Sequence, residues 1–221
     1  MTYLLHIDTS GDLGCVAVSG DGALVSHRYT EETRSHASAI NTMIEQVLAE
    51  AGISFQKLSA IAVCAGPGSY TGLRIGLSTA KGLCYALDLP LILDNKLTLL
   101  ADAAFKKAPG YDQYISLLVA REREYFVAVY DRSFSCITQP QHVTEDMLSD
   151  LLTPDARTYM LSDASQNIVD RLQISQLEIK NDTKIDLNSW AIYSFEKHNC
   201  NHIVNLADAE PFYLKQVYTH K

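Results

Sequence analysis

The sequence predicts an α/β protein built as two topologically related halves, and three observations carry that reading. Apolar runs separated by turn residues open the chain as a three-stranded antiparallel meander. Helical and strand periodicities then alternate, giving the order βββαβαβ up to residue 93. After Ala108-Pro109-Gly110, which reads as a domain joint, the second half restarts with a strand hairpin as the first half does. No visible sequence repeat accompanies the return.

Taken in order, residues 3–8 form an apolar strand that ends in an acid, Asp8. The polar turn Thr9-Ser10-Gly11-Asp12-Leu13-Gly14 follows, then a second strand over 15–19. Gly20-Asp21-Gly22 is a hairpin turn, because Gly and Asp tolerate the positive φ such turns need. A third strand covers 23–29. Ser35 to Ala51 is helical: Ala37, Ile40, Ile44, Val47 and Ala51 recur at three- and four-residue spacing and make one apolar face. Gly52 stops that helix. Leu58–Cys64 is a strand, and Gly66-Pro67-Gly68-Ser69-Tyr70-Thr71-Gly72 turns it into a helix over 73–87, with Thr71 as its cap. A strand over 91–93 and a helix over 97–107 complete the first part. Strands over 114–119 and 125–131 flank the charged turn Arg121-Glu122-Arg123-Glu124, and a weaker αβ alternation continues to about residue 197.

Composition narrows the function. The 221 residues carry 18 Lys+Arg against 26 Asp+Glu, a formal net charge of −8, with 47% hydrophobic residues. Those values fit a globular chain with its own core and exclude wholesale disorder. Nucleic-acid binding needs clustered basic residues, whereas these are scattered, so any RNA contact is expected to need a partner. The odd count of five cysteines, without a CxxC pair, reads as reduced thiols. Residues 1–8 have no basic n-region, and Asp8 interrupts their apolar run. No window approaches a membrane span. A cytoplasmic protein without membrane contact is expected.

Three places could carry chemistry. The glycine turn lies between a strand and a helix, where backbone N–H groups favour an anion. Its G-x-G-x-x-x-G spacing is one residue longer than the dinucleotide fingerprint. Asp94 at the next strand end could mimic the ribose-binding acid, but the antiparallel opening speaks against a dinucleotide fold. The bland alternative is a tight turn with close backbone packing. Gly72, Gly76, Ala80 and Cys84 share one stripe of the following helix. Small residues let another element approach closely, either the protein's own sheet and first helix or a second molecule. Asp8-Thr9-Ser10, an acid at a strand end followed by hydroxyls, is how actin-like ATPases begin their first phosphate loop. Histidines offer little: His36 is followed four residues later by Ile40, and His198 and His202 flank a polar stretch.

Ile7-Asp8-Thr9-Ser10, Gly66-Pro67-Gly68-Ser69-Tyr70-Thr71-Gly72-Leu73-Arg74-Ile75-Gly76 and Ala209-Glu210-Pro211-Phe212-Tyr213-Leu214 together resemble the TsaB (YeaZ) family over essentially the whole sequence. The resemblance implies a two-lobed actin/sugar-kinase/Hsp70-like ATPase fold with ribonuclease H-like lobes, each a mixed sheet flanked by helices. It implies lobes over 1–102 and 103–221, the first carrying partner-binding helices and the second a tail that packs back on the body. It implies a non-catalytic paralogue of TsaD, the transferase that makes N6-threonylcarbamoyladenosine at position 37 of tRNA. TsaD and the ATPase TsaE are the implied partners, with a homodimer when isolated and tRNA reached only through the complex. The implied partner interface is His36, Gly72, Arg74, Gly76 and Ala80, while Gly66, Gly68 and Gly72 form a structural turn.

No catalytic, cofactor-binding or metal residue is expected. TsaD-type enzymes carry H-x-x-x-H on the first helix; here Ile40 replaces the second histidine. Relatives often have Asp-Ala-Arg at the second-lobe phosphate turn; here it is Val119-Ala120-Arg121. The adenosine turn is glycine-rich in the fold; here the nearest candidate is Leu161-Ser162-Asp163-Ala164. The alternative is an active metallopeptidase, matching the family's older glycoprotease or M22 label, or an ATPase or kinase of the same fold.

Overall fold

A computed structural model describes residues 1–30, 36–164 and 166–213, with residue 36 described by its backbone alone. Ser35 and Leu214, included in the helix and tail motif above, lie outside the described residues. The described residues form two five-stranded mixed sheets. In the first, β1 (Tyr3–Asp8) pairs antiparallel with β2 (Cys15–Gly20) and parallel with β4 (Leu58–Cys64). The edges are β3 (Ala23–Tyr29) and β5 (Leu91–Asp94), so the order is β3-β2-β1-β4-β5. In the second, β6 (Gln113–Arg121) stands between β7 (Glu124–Asp131) and β9 (Arg157–Ser162), with β8 (Cys136–Thr144) and β10 (Gln176–Lys180) at the edges. Its order, β8-β7-β6-β9-β10, repeats that of the first sheet, with the same mixture of antiparallel and parallel pairs. The two halves are therefore topologically related, as the sequence predicts.

The turn at Asp21-Gly22 forms as its residues require, with φ of 49° and 82°. The helices are α1 (His36–Ala51), α2 (Tyr70–Leu87), α3 (Lys96–Lys107), α4 (Leu148–Leu151), α5 (Gln166–Arg171) and α6 (Leu187–Asn199). Helix α2 starts three residues earlier than the sequence suggests. Its cap is Ser69, whose Oγ accepts from the Gly72 N–H at 3.3 Å, in place of Thr71.

The chain divides into one unit of Met1–Lys96 and Leu187–Phe212, and another of Leu97–Asp186 continued from Tyr213. This differs from contiguous lobes meeting at 102/103. Leu97, Leu100, Ala101 and Ala104 of α3 join Tyr114, Leu118 and Ala128 in a core of the second unit, which moves the boundary forward. Helix α6 belongs to the first unit because a buried charge holds it there. Asp94, at the end of β5, is completely buried. Its carboxylate accepts from Trp190 Nε1 at 2.7 Å, Ser194 Oγ at 3.0 Å and Lys197 Nζ at 2.8 Å, all on α6. A carboxylate so fully engaged within the chain is structural, and this corrects the ribose-binding alternative for Asp94. Burying an ion is tolerable only with such partners.

Successive β1 side chains point to opposite faces. Leu5 and Ile7 meet Ile40, Ile44 and Val47 of α1 and Leu77, Ala80 and Cys84 of α2 in one core. His6 faces α6, its ring edge-on to Trp190 at 4.9 Å, with Nε2 2.9 Å from Ser19 Oγ. The first sheet is thus covered on both faces. Beyond α6, Val204 N–H donates to Leu91 O at 3.0 Å and Phe212 N–H to Ala65 O at 2.8 Å, so the segment returns along the first unit. Lys81 of α2 holds it through Ala209 O at 3.2 Å.

Two stability outcomes are expected. Lys197→Met leaves the buried Asp94 without its counter-charge and should destabilise by about 3 kcal/mol in urea unfolding. Burial pushes the His6 pKa down to about 4, with Asp94 pulling weakly the other way. The folded chain therefore keeps His6 neutral where the unfolded chain protonates it. Stability should fall by about 2 kcal/mol between pH 6.5 and 5 through this group. His6→Gln should flatten that slope.

Candidate functional site

The glycine motif and the Asp8-Thr9-Ser10 turn meet in the first unit. Ser69 N–H donates to Ser10 O at 2.8 Å, and Thr9 Oγ1 donates to Gly72 O at 2.6 Å. Asp8 Oδ1 accepts from Ser10 N–H at 2.8 Å, so the acid closes its own turn. The approach is possible only without side chains. A Cβ on Gly68 would lie 2.3 Å from Ser10 O, one on Gly72 2.0 Å from Thr9 O, and one on Gly76 2.3 Å from Thr9 Oγ1. Gly66 has φ of 115°, a region L side chains avoid. The structure thus places Gly66, Gly68 and Gly72 in a strand-to-helix turn packed on the end of β1.

This decides which way the small-residue stripe faces. Gly72, Gly76, Ala80 and Cys84 are all buried within the chain. The expectation that Gly72, Gly76 and Ala80 meet a partner directly is corrected: their small size serves close packing on β1 and the core. Arg74 of the expected set is exposed, its guanidinium 4.1 Å above the Tyr70 ring. With Tyr70, Ser78, Gly82 and Tyr85 it forms the outer face of α2. Tyr85 is 85% exposed, unusual for so large a ring. The side chain of His36 lies outside the described residues. Beside α2, helix α1 buries Ile40, Ile44 and Val47 and exposes Ala37, Asn41 and Glu45. Ile40, where the metal motif would place a histidine, is 2% exposed and committed to the core.

In the second unit, Val119 N–H donates to Asp163 Oδ1 at 2.7 Å, and Ala164 N–H to Ser162 Oγ at 3.0 Å. The two turns singled out there are thus adjacent, and Asp163 already occupies a main-chain donor an anion would use. They border an open pocket of about 730 Å³ that also includes Arg121, Arg123, Tyr125, Glu145 and Arg171. Arg171 carried no signal in the sequence, since helix pattern alone does not say which turn it will face. Likewise Tyr70, Ser78, Gly82 and Tyr85 were missed, although Tyr70, Arg74, Ser78 and Gly82 share the four-residue spacing of the stripe behind them. Among the described residues, no group of three or more His, Cys, Asp or Glu could hold a metal ion, His198 and His202 included. Cys15, Cys64 and Cys84 are buried free thiols, and burial raises the pKa of each.

Gly76→Leu should therefore fail to fold, rather than fold and lose a partner. Gly76→Ala should destabilise by about 2 kcal/mol, since its Cβ would meet Thr9 Oγ1. Thr9→Ala removes that oxygen, so the double variant should be more stable than the sum of the single changes predicts. Urea unfolding of the four proteins measures that coupling.

A family model described as TsaD, tRNA N6-adenosine threonylcarbamoyltransferase, matches residues 25–186. The chain is 29% identical to the tRNA threonylcarbamoyladenosine biosynthesis protein TsaB of Haemophilus influenzae, over 99% of this chain and 95% of that protein. It is 34% identical to TsaB of Escherichia coli over 58% of this chain, a match spanning only 55% of that relative. The fold is that of YeaZ from Pseudomonas aeruginosa, with a TM-score of 0.76, 23% identity, and coverage of 96% of this chain and 100% of that one. Lmo2764 of Listeria monocytogenes, assigned as an N-acetylmannosamine kinase, shares it more distantly, with a TM-score of 0.51, 12% identity, and coverage of 90% and 100%. The two mixed sheets flanked by helices are thus those of the actin-like and sugar-kinase-like class. The chain belongs to the TsaB (YeaZ) family, whose curated members are named for tRNA threonylcarbamoyladenosine biosynthesis.

Proposed function

We propose that this protein is a non-catalytic subunit of the machinery that makes N6-threonylcarbamoyladenosine at position 37 of tRNA. It binds the transferase TsaD and supports its activity, together with the ATPase TsaE. The observation that carries this reading is the outer face of α2. Its inner edge is locked on β1, so Tyr70, Arg74 and Tyr85 are held outward on a rigid helix beside α1. A large exposed ring on a rigid element is the kind of anchor that partner interfaces use. In the isolated protein the same face supports a homodimer. The interface proposed here is Arg74 with its exposed neighbours on α2 and the exposed side of α1.

Absence of catalysis is supported residue by residue. Ile40 offers no metal ligand and is buried in the core. Val119 brings no acid to its turn, and its N–H is already taken by Asp163. With a net charge of −8, tRNA is reached through the complex and not by the isolated chain. The setting is cytoplasmic; among the described residues, no helix is long and apolar enough to cross a membrane.

Co-purification with TsaD from the same organism, followed by a tRNA threonylcarbamoylation assay with and without this chain, tests the reading. The pair should form, and TsaD activity should depend on it. Tyr85→Glu should leave the melting temperature within about 2 °C, since the ring is solvated, yet weaken the complex at least about tenfold. TsaD that works unaided, or a variant that binds as well as the unaltered chain, would refute the reading or its surface respectively.

A further inference from the structure

Three of the chain's eight arginines converge on one pocket of the second unit, in a protein whose charge is otherwise acidic and scattered. Arg121 and Arg123 come from the β6–β7 turn, and Arg171 from the end of α5. Their side chains are 54%, 73% and 64% exposed, so the guanidinium groups stand at the rim. Glu145, only 14% exposed, lies beneath them. Its Oε2 accepts from Arg123 Nε at 3.1 Å, and its Oε1 accepts from Arg171 Nη1. One carboxylate thus fixes two of the three guanidinium groups. A guanidinium has five N–H donors, so each retains donors after serving Glu145. Prior ordering reduces the entropy lost when such a fork meets an oxyanion.

We propose that this arginine rim contacts the phosphodiester backbone of RNA in the assembled modification complex. Exposed, pre-ordered forks around a concave rim suit phosphate oxygens of a strand passing over them. Exposed Val119 supplies an apolar flank beside them. Glu122, Glu145 and Asp163 also line the pocket, and Glu124 lies 3.5 Å from Arg121 Nε. The lining is therefore balanced in charge and does not hold RNA by itself. It adds local contacts to a surface completed by the partner. The proposal rests on the functional reading above and assigns one patch of this chain a share of the RNA contact.

The test measures tRNA affinity of the complex of this chain with TsaD across salt concentrations. Arg123→Gln/Arg171→Gln/Glu145→Gln removes two cations without leaving the partly buried Glu145 carboxylate unpaired. Arg121→Gln probes the rim without touching Glu145. The triple variant should bind tRNA about three- to tenfold more weakly at moderate salt, with the slope of log affinity against log salt shallower by about 1 to 2. Arg121→Gln should act in the same direction with about half the change in slope. Intact complexes with unaltered tRNA affinity and slope would overturn this proposal alone. Failure of the unaltered chain to bind TsaD would overturn the functional reading and this proposal with it. Direct binding of inorganic phosphate that the triple variant loses, with tRNA affinity unchanged, would assign the rim to a small phosphate ligand and overturn the RNA contact.

Discussion

Helix α2 meets the end of β1 at a distance that only glycine permits, and much of the first unit follows from that contact. Thr9 Oγ1 donates to Gly72 O, while Gly76 lies against the same hydroxyl. Those contacts fix both the height and the rotation of α2 on the sheet. Once the rotation is fixed, Leu73, Leu77, Ala80 and Cys84 must enter the interior. Tyr70, Arg74, Ser78, Gly82 and Tyr85 must then face outward, including a tyrosine that the chain itself does not cover. The glycines are thus required by packing, and their relation to a partner is indirect: they aim the opposite side of the helix.

How much of this could be read from the sequence depended on how local the cause was. The meander, the alternating strands and helices, and the turn at Asp21-Gly22 are set by residues within a few positions of each other, and they form where expected. β8 was not legible because it is an edge strand with Pro140 in its middle and mostly polar neighbours. The partner of Asp94 was beyond reach, since Trp190 and Lys197 stand 96 and 103 residues away and no local pattern links them. The stripe on α2 was seen but its direction was not. Small residues suit close approach to any element, and only the position of Thr9 decides which one. The arginine pocket is assembled from separate segments and likewise has no linear signature.

The two units share a strand order but use it differently. At the end of β1, the turn after the first strand is covered by a helix and closed by its own acid. At the corresponding end of β6, the chain stays open around a pocket, and a carboxylate from beyond β9 caps the turn. The same scaffold therefore gives a sealed, helix-presenting unit in one case and a charged, solvent-facing hollow in the other. Fold class alone would not have distinguished them.

The return of α6 to the first sheet has a consequence for how the protein is made. A ribosome adds roughly 5–20 residues per second. Asp94 therefore emerges about 5–20 s before Lys197, the group that neutralises it 103 positions later. The second unit's main segment, Leu97–Asp186, is complete before Trp190 has been synthesised. The nascent first sheet must wait with one face uncovered and an acid destined for burial still in water. Its completion is a late, post-insertion event, so the helix-presenting surface matures only after the intervening unit has been made.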